Sequence, residues 1–141
     1  MIDKNNIYFV SKSEIDKVLN HKLNKFDKAK LLSLICRLNT LSMVKLAGSG
    51  HLGTSMSAMD LMIWIKFFLK KKKKLNDPNR DIFFSSKGHD APALYSVLYA
   101  LGIISLKKIL KLRRLDGLEG HPDVATSGVE ANTGSLGMGI S

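Results

Sequence analysis

The chain has 141 residues, 45% hydrophobic and 24% charged, which is enough for one domain with its own core. Its formal net charge of +10 at pH 7 raises the question of nucleic-acid binding. A single cysteine, Cys36, excludes an internal disulfide framework and fits a reducing compartment. Because Cys36 lies within an apolar helical pattern, we predict that it is a small core residue and not a nucleophile.

The basic residues do not form a nucleic-acid-binding pattern. They are scattered, apart from a compact lysine run at 70–74 that is typical of a solvated helix end, and no zinc-finger or aromatic-interleaved motif accompanies them. The most apolar run, 61–69, is interrupted by Lys66 and is far shorter than the roughly 20 residues that span a bilayer. Since the N-terminus shows no signal-peptide pattern, we expect a soluble, cytoplasmic protein that binds neither nucleic acid nor membrane.

In chain order, a polar extension at 1–26, with a short helix near 13–23, precedes a single predicted domain at 27–141. Asp27 is the predicted N-cap of a long helix that continues to about Ala47, where Gly48 provides the stop. The apolar residues of this helix recur at helical spacing, at Leu31, Leu34, Ile35, Leu38 and Leu41. No internal repeat or low-complexity linker divides the chain further.

The second half of the predicted domain alternates loops with short elements. After the glycine-rich loop "GSGHLGTS", Ser57 and Asp60 resemble a capping pair that opens a helix to about Lys70. The segment "DIFFSS" is short and apolar, which predicts a buried strand. A third helix is predicted at 91–101 and a basic fourth helix at 105–114, followed by a loop region at 116–133.

Three of the four histidines follow a glycine, at Gly50–His51, Gly88–His89 and Gly120–His121. All three pairs fall in loops at element boundaries, where scaffolds present binding groups. Glycine lets a ligand approach the backbone, and imidazole can donate to a phosphate or hydroxyl and titrates near neutral pH. The combination favours a polar, anionic ligand. Zinc binding is the rival interpretation, but the wide spacing of the pairs matches no compact metal motif.

The end of the chain, "NTGSLGMGIS", carries three more glycines. Their spacing is not that of the dinucleotide fingerprint, which is G-x-G-x-x-G after a strand. A glycine-rich turn that enters a helix could nevertheless expose backbone groups to a ligand. By itself this glycine-rich segment is a weak indication of ligand binding. It becomes specific because it follows the three histidine loops in the chain.

From Ala29 to Ser141 the sequence resembles the N-terminal, thiamine-diphosphate-binding region of transketolases, most closely the form made as separate N-terminal and C-terminal subunits. The resemblance is carried, in family order, by "GSGHLGTSMSAMDL", "DIFFSSKGHDAPALYSVLYALG", "LRRLDGLEGHPD" and "SGVEANTGSLGMGIS". It implies an α/β fold, of which this chain would hold the helix-rich N-terminal part and only an incomplete parallel sheet. "EGHPD" argues against the related deoxyxylulose-phosphate synthases.

The resemblance also implies roles for individual residues. His51 would contact the sugar substrate and assist proton transfer, and His121 would face the first hydroxyl groups of the ketose donor. His89 would donate to the cofactor diphosphate. The aminopyrimidine of the cofactor would be lined by Gly134, Ser135 and Leu136. The implied reaction is transfer of a two-carbon ketol unit from a ketose phosphate to an aldose, with thiamine diphosphate carrying the difficult step.

The sequence departs from the family pattern in two ways. Met138 stands where the family usually has glutamine. The family's Gly-Asp-Gly motif, which binds Mg²⁺ and diphosphate, does not occur in these 141 residues, so we expect the Mg²⁺ ligands to lie outside this chain and apolar helical faces to be exposed. The activating glutamate would come from a pyrimidine-binding subunit or domain in an oligomer. Three hypotheses remain. The chain is part of a transketolase that is active only when completed, or a non-catalytic remnant that at most binds a partner, or it serves a different thiamine-diphosphate chemistry or is an unrelated basic binding module.

Overall fold

A computed structural model describes residues 7–69 and 77–135. Helices dominate this part of the chain, and α3 continues directly into a π-helical segment at Trp64–Leu69. The α-helices are α1 (Lys12–Asn20), α2 (Lys25–Ala47), α3 (Leu52–Ile63), α4 (Ala91–Ala100) and α5 (Leu106–Ile109). Helices α2, α3 and α4 pack against one another and form the centre of the fold.

The long helix α2 is confirmed, but its predicted N-cap is wrong. The cap is Asn24, whose side chain accepts a hydrogen bond from the backbone N–H of Asp27 at 3.0 Å. Asp27 therefore lies in the first turn, where its carboxylate suits the positive end of the helix dipole. Gly48 ends the helix as predicted, with a left-handed φ of 67°.

Helix α3 begins five residues before the predicted capping pair, so that interpretation of Ser57 and Asp60 is wrong. Ser57 lies inside the helix and donates to the carbonyl of Thr54 at 3.1 Å. Asp60 makes a bidentate ion pair with Arg37 of α2, with distances of 2.9 and 2.7 Å. The Arg37 guanidinium lowers the pKa of the Asp60 carboxyl, and the pair ties the two helices together.

The predicted strand "DIFFSS" has no strand structure, and the described residues contain only an isolated parallel bridge between Leu112 and Leu118. A strand needs a neighbouring strand for its backbone hydrogen bonds, and the described part of the chain places none beside this segment. Ile82 and Phe84 are consequently exposed. The helical part of the predicted α/β fold is thus observed, while its parallel sheet is not seen in residues 7–69 and 77–135.

Helix α4 confirms the third predicted helix and is buried along its whole length. The basic helix predicted at 105–114 is shorter than predicted. It corresponds to α5, which ends at Ile109 because the chain turns back after Leu110. Leu118 donates its N–H to the carbonyl of Lys111 at 3.1 Å and accepts from the N–H of Arg113 at 2.7 Å. These backbone groups are therefore committed to the turn instead of to further helical bonds.

The described part of the N-terminal extension packs on the helical core. Ile7, Phe9 and Ile15 are all buried. The side chain of Asn39, on α2, accepts from the Val10 N–H at 2.7 Å and donates to the Val10 carbonyl at 3.1 Å. This two-way bond satisfies a buried amide and holds the segment before α1 against α2.

One helical stretch in the described residues, Leu52–Leu69, has the length and composition to cross a membrane, with a mean hydropathy of 1.2. It includes the nine-residue apolar run noted in the sequence. A single stretch of this kind is weak evidence, because core helices of soluble proteins meet the same criterion. Only 22% of this stretch is buried, on the side where α3 packs on α2 and α4. In the π-helical segment that follows α3, Lys66 contacts the buried carboxylate of Glu130.

Cys36 is a core residue, as predicted from its helical context. It is fully buried on α2 against Ser96 of α4, which donates to the Cys36 carbonyl at 2.9 Å. Burial raises the pKa of the Cys36 thiol to about 12. We expect a thiol reagent at pH 8 to label the native protein at least roughly 100 times more slowly than the urea-unfolded protein, because little thiolate forms and none is accessible. Equal labelling rates would contradict this packing.

Candidate functional site

The three Gly–His pairs lie where the sequence predicted, at loops that border helices. His51 is the residue before α3, and its side chain makes no capping bond there. His89 lies two residues before α4, and His121 belongs to the long loop after α5. His51 and His121 are exposed and His89 is half-buried, so all three rings are within reach of a ligand.

The structure brings His51 and His89 together. Their ring centroids are 5.5 Å apart, in an edge-to-face arrangement with an interplanar angle of 68°. The two residues are 38 positions apart in sequence, and they meet because α3 and α4, which they precede, pack side by side. Two imidazoles at this separation can both donate to one polar ligand.

The loop of His89 meets the glycine-rich loop near the end of the described chain through backbone contact. Gly88 has a φ of 65°, and a Cβ built on it would lie 2.4 Å from Gly134 Cα and 2.5 Å from Gly134 N. Only glycine allows this approach. The family resemblance implied that His89 and Gly134 both contact the cofactor, and the loops that carry them are in contact.

The same loop also contacts His121. A Cβ on Gly134 would lie 2.7 Å from His121 Cδ2, so the imidazole packs directly on the glycine backbone. Thr133 donates its N–H to the carbonyl of Pro122 at 3.4 Å, and the buried Tyr95 of α4 donates its hydroxyl to the carbonyl of His121 at 3.2 Å. Burial raises the pKa of that hydroxyl, which keeps it protonated as a donor.

Arg113 joins the loops of His51 and His121, a role that the sequence did not reveal. Its guanidinium donates to Ser49 Oγ at 2.5 Å, and a Cβ on Gly120 would lie 2.8 Å from Arg113 Nε. Next to it is an open cavity of about 680 Å³ lined by Arg114, Glu119 and His121 among others. Arg113 lies in the quoted stretch "LRRLDGLEGHPD", but no spacing rule distinguishes it from its neighbour Arg114.

Glu130 is a second residue whose part in the structure the sequence did not predict. Its side chain is 3% exposed and forms ion pairs with Lys66 at 3.4 Å and with Arg80. It also accepts from the N–H of Phe83 at 3.4 Å. The ion cluster Lys66–Arg80–Glu130 therefore anchors the chain four residues before Gly134 to the π-helical segment after α3 and to the "DIFFSS" segment.

Three buried polar atoms in or beside the loops have no hydrogen-bond partner in the described part of the chain. They are Thr133 Oγ1 beside Gly134, Thr54 Oγ1 three residues after His51, and Asp90 Oδ1 beside His89. The other carboxylate oxygen of Asp90 accepts from Ser85 Oγ at 2.6 Å. A buried hydroxyl without a partner is costly and fits a site completed by a polar ligand. Together with His89 and the glycine backbone, Thr133 fits a diphosphate group.

The described residues do not form a site for a metal ion. Residues 7–69 and 77–135 contain no group of three or more His, Cys, Asp or Glu side chains placed to hold one. Of the other two predicted cofactor contacts, Ser135 is exposed beside Gly134, and Leu136 lies outside the described residues. Met138, which replaces the glutamine usual in the family, also lies outside them.

Loops that carry imidazoles and contact one another at glycines are typical of a ligand-binding domain. A family model described as the transketolase thiamine-diphosphate-binding domain matches residues 28–141. The chain belongs to that family. Proteins named transketolase from Buchnera aphidicola subsp. Schizaphis graminum and from Mus musculus are 38% and 36% identical to it over 109 and 107 residues. Each alignment covers 74% of this chain, but only 16% and 17% of those two proteins.

One of the subunits of an apulose-4-phosphate transketolase, from Phocaeicola vulgatus, is also similar. It is 35% identical over 108 residues, which are 74% of this chain and 38% of that protein. The chain thus spans well under half the length of each of these relatives.

Proposed function

We propose that this chain supplies the diphosphate side of the cofactor site in a thiamine-diphosphate-dependent transketolase, which transfers a two-carbon ketol unit from a ketose phosphate to an aldose. The observation that carries the proposal is the convergence of the loops: His51 on His89, Gly88 on Gly134, and Gly134 on His121. Family membership alone would not require these residues to be in contact in so short a chain.

Each residue has a part that suits its chemistry. His89 and the buried Thr133 hydroxyl donate to the diphosphate, and Gly134, Ser135 and Leu136 line the aminopyrimidine. His51 and His121 bind the sugar hydroxyls and move protons at those oxygens, because an imidazole ring can both donate and accept a hydrogen bond. When bound, thiamine diphosphate supplies the nucleophilic carbon of its thiazolium ring. Arg113 positions two histidines by joining Ser49 to the loop of Gly120.

The proposed enzyme needs groups that the described residues do not supply. Mg²⁺ would be held by oxygen ligands outside the described residues and would supply positive charge to the diphosphate. A pyrimidine-binding subunit or domain would complete the site, and the Phocaeicola vulgatus relative, which is named as one subunit of its enzyme, supports a separate partner chain. We further propose that the assembly is an oligomer that works in the cytoplasm.

Histidine variants test the role assignments in the completed assembly, which contains this chain and the remaining transketolase segments. For His89→Ala we expect cofactor affinity to fall at least about tenfold, since a hydrogen bond to a charged group contributes roughly 1.5–3 kcal/mol. For His51→Ala and His121→Ala we expect near-normal cofactor affinity and a loss of about 10²–10⁴ in kcat/KM for the ketose donor. Calorimetric titration of cofactor and a coupled ketol-transfer assay measure the two effects.

His21→Ala is the matched control, because this fourth histidine lies exposed at the end of α1, in none of the three loops. Its variant should behave as the unmodified protein. Equal effects of all four substitutions would show general damage, and no effect at positions 51, 89 and 121 would overturn the role assignments.

The second candidate function is that of a non-catalytic, partner-binding member of the family, favoured by the lack of a three-ligand metal cluster in the described residues. The intact mass of the protein isolated from its own cells separates the two. A mass well above 15.6 kDa would allow the Mg²⁺ ligands to be present on the same polypeptide. A mass near 15.6 kDa, together with no ketol transfer after mixing with a pyrimidine-domain subunit, would favour the non-catalytic function.

A further inference from the structure

The diphosphate accounts for only one of the three unpaired buried polar atoms. The Thr133 hydroxyl suits that group, which leaves Thr54 Oγ1 and Asp90 Oδ1 without a hydrogen-bond partner among the described residues. The oxygens of an ionised phosphate only accept hydrogen bonds, so they cannot satisfy the Asp90 carboxylate oxygen, which is itself an acceptor. These two atoms therefore fit a ligand group of a different kind.

Thr54 and Asp90 lie at the neighbouring starts of α3 and α4. Thr54 is in the first turn of α3, three residues after His51, and Asp90 is the N-cap residue of α4, directly after His89. Because the rings of His51 and His89 are 5.5 Å apart, the two helix starts meet at these histidines. Residues three apart on a helix share a face, which places Thr54 on the side of α3 that carries His51.

The polar atoms next to these two are paired. Ser55 donates its hydroxyl to the carbonyl of His51 at 2.7 Å, and Ser85 donates to the other carboxylate oxygen of Asp90 at 2.6 Å. Asp90 is only 1% exposed, and it makes no side-chain cap bond to α4, although aspartate at an N-cap usually accepts from a backbone N–H. A buried carboxylate oxygen left free in this way is costly unless a ligand donates to it.

We propose that Thr54 and Asp90 form a subsite for hydroxyl groups of the sugar, an inference that rests on the proposed transketolase function. The Thr54 hydroxyl donates to one sugar hydroxyl, and Asp90 accepts from another. A polyol suits this pair, because each of its hydroxyls can both donate and accept. Thr54 is half-buried, and threonine in a helix divides between two χ1 rotamers, so its hydroxyl can turn towards a ligand beside His51.

Thr54→Val tests whether the hydroxyl is unpaired in the free protein. Valine has the same shape, so the equilibrium constant for urea unfolding of the 141-residue chain should fall or stay within about twofold, because no hydrogen bond is lost. Ser55→Ala is the control, since it removes a paired hydroxyl and should raise that constant about three- to tenfold. If Thr54→Val were as destabilising as Ser55→Ala, the hydroxyl would have a structural partner and the proposal would be wrong.

The sugar side is tested in the completed assembly with D-fructose 6-phosphate as the probe. Thr54→Val should raise the KM for this ketose about tenfold, with kcat and cofactor affinity little changed, because the hydroxyl contributes to sugar binding alone. Thr54→Ser keeps the hydroxyl and should give a KM within about threefold of the unmodified value. An unchanged KM in Thr54→Val, or an equal rise in Thr54→Ser, would overturn the assignment of Thr54.

Asp90→Ala tests the acceptor. It should raise the same KM and leave cofactor affinity unchanged, with circular dichroism to check that the variant stays folded. A change in cofactor affinity in either direction would place Asp90 beside the diphosphate and overturn its part in the subsite.

Failure of the subsite can be distinguished from failure of the proposed function. An assembly with the unmodified chain that shows no ketol transfer would overturn both. Normal ketol transfer, with the same KM in Thr54→Val and in the unmodified chain, would overturn the subsite alone.

Discussion

Gly88→Ala is expected to lower the free energy of unfolding by about 2–4 kcal/mol, and to disrupt the loops of the candidate site. Two costs add. An alanine at a φ of 65° is in the left-handed region, which disfavours a side chain. The new methyl would also lie 2.4 Å from Gly134 Cα, and backbone cannot move aside as a flexible side chain can.

The measurement is urea unfolding followed by circular dichroism, with Gly53→Ala as the control. Gly53 is also a glycine next to a histidine loop, but it lies in the first turn of α3, and a Cβ there meets nothing within 4 Å. The control should be neutral or slightly stabilising, since alanine favours helix. In the completed assembly, Gly88→Ala should also weaken cofactor binding. If both variants unfold alike, the contact between the loops of Gly88 and Gly134 is wrong.

The repeated Gly–His pairs are informative in the sequence because glycines and histidines take part in the same contacts between loops. Gly88 and Gly134 let two loops touch, and His89 and His121 lie beside them. Spacing alone predicted that these loops carry ligand contacts, but it gave no distances. Contacts such as His51 with His89 depend on how α3 and α4 pack, which no local pattern encodes.

Helix α2 shows why the position of a helix is easier to predict than the direction of its faces. Its apolar residues occupy most of the circumference, so the period predicted a helix correctly and could not distinguish the core face from the outer one. The buried face includes Ser33, Asn39 and Thr40, polar residues that a sequence pattern places outside. Asn39 is buried because Val10 satisfies its amide, a contact 29 residues away.

The strand prediction at "DIFFSS" failed because local composition does not show whether a neighbouring strand is present. Its local composition is that of a strand, but a strand is stabilised by pairing, and the described residues offer it no neighbouring strand. Glu130 anchors this segment instead, through the N–H of Phe83. Nothing in the sequence near Glu130 indicates that a carboxylate would be buried there, because its partners Lys66 and Arg80 are at least 50 residues distant.

Glu130→Ala is therefore expected to cost about 3–5 kcal/mol of unfolding free energy, as for other buried ion pairs that lose one partner. The Lys66 side chain is only 5% exposed, so the loss of the carboxylate removes an ion-pair partner from a buried ammonium. Urea unfolding measures the loss. Glu14→Ala is the control, since the ion pair of Glu14 with Lys17 is exposed and should contribute under about 1 kcal/mol.

A double variant separates the charge from the packing. Replacing Glu130 and Lys66 together with methionine removes a buried pair while keeping its volume, so the loss should be smaller than for Glu130→Ala, although Arg80 keeps its charge. If Glu130→Ala were no more damaging than Glu14→Ala, the carboxylate could not be buried between these cations. The anchor would then have to be sought elsewhere, and the position of Gly134, four residues further along the chain, would lose its main support.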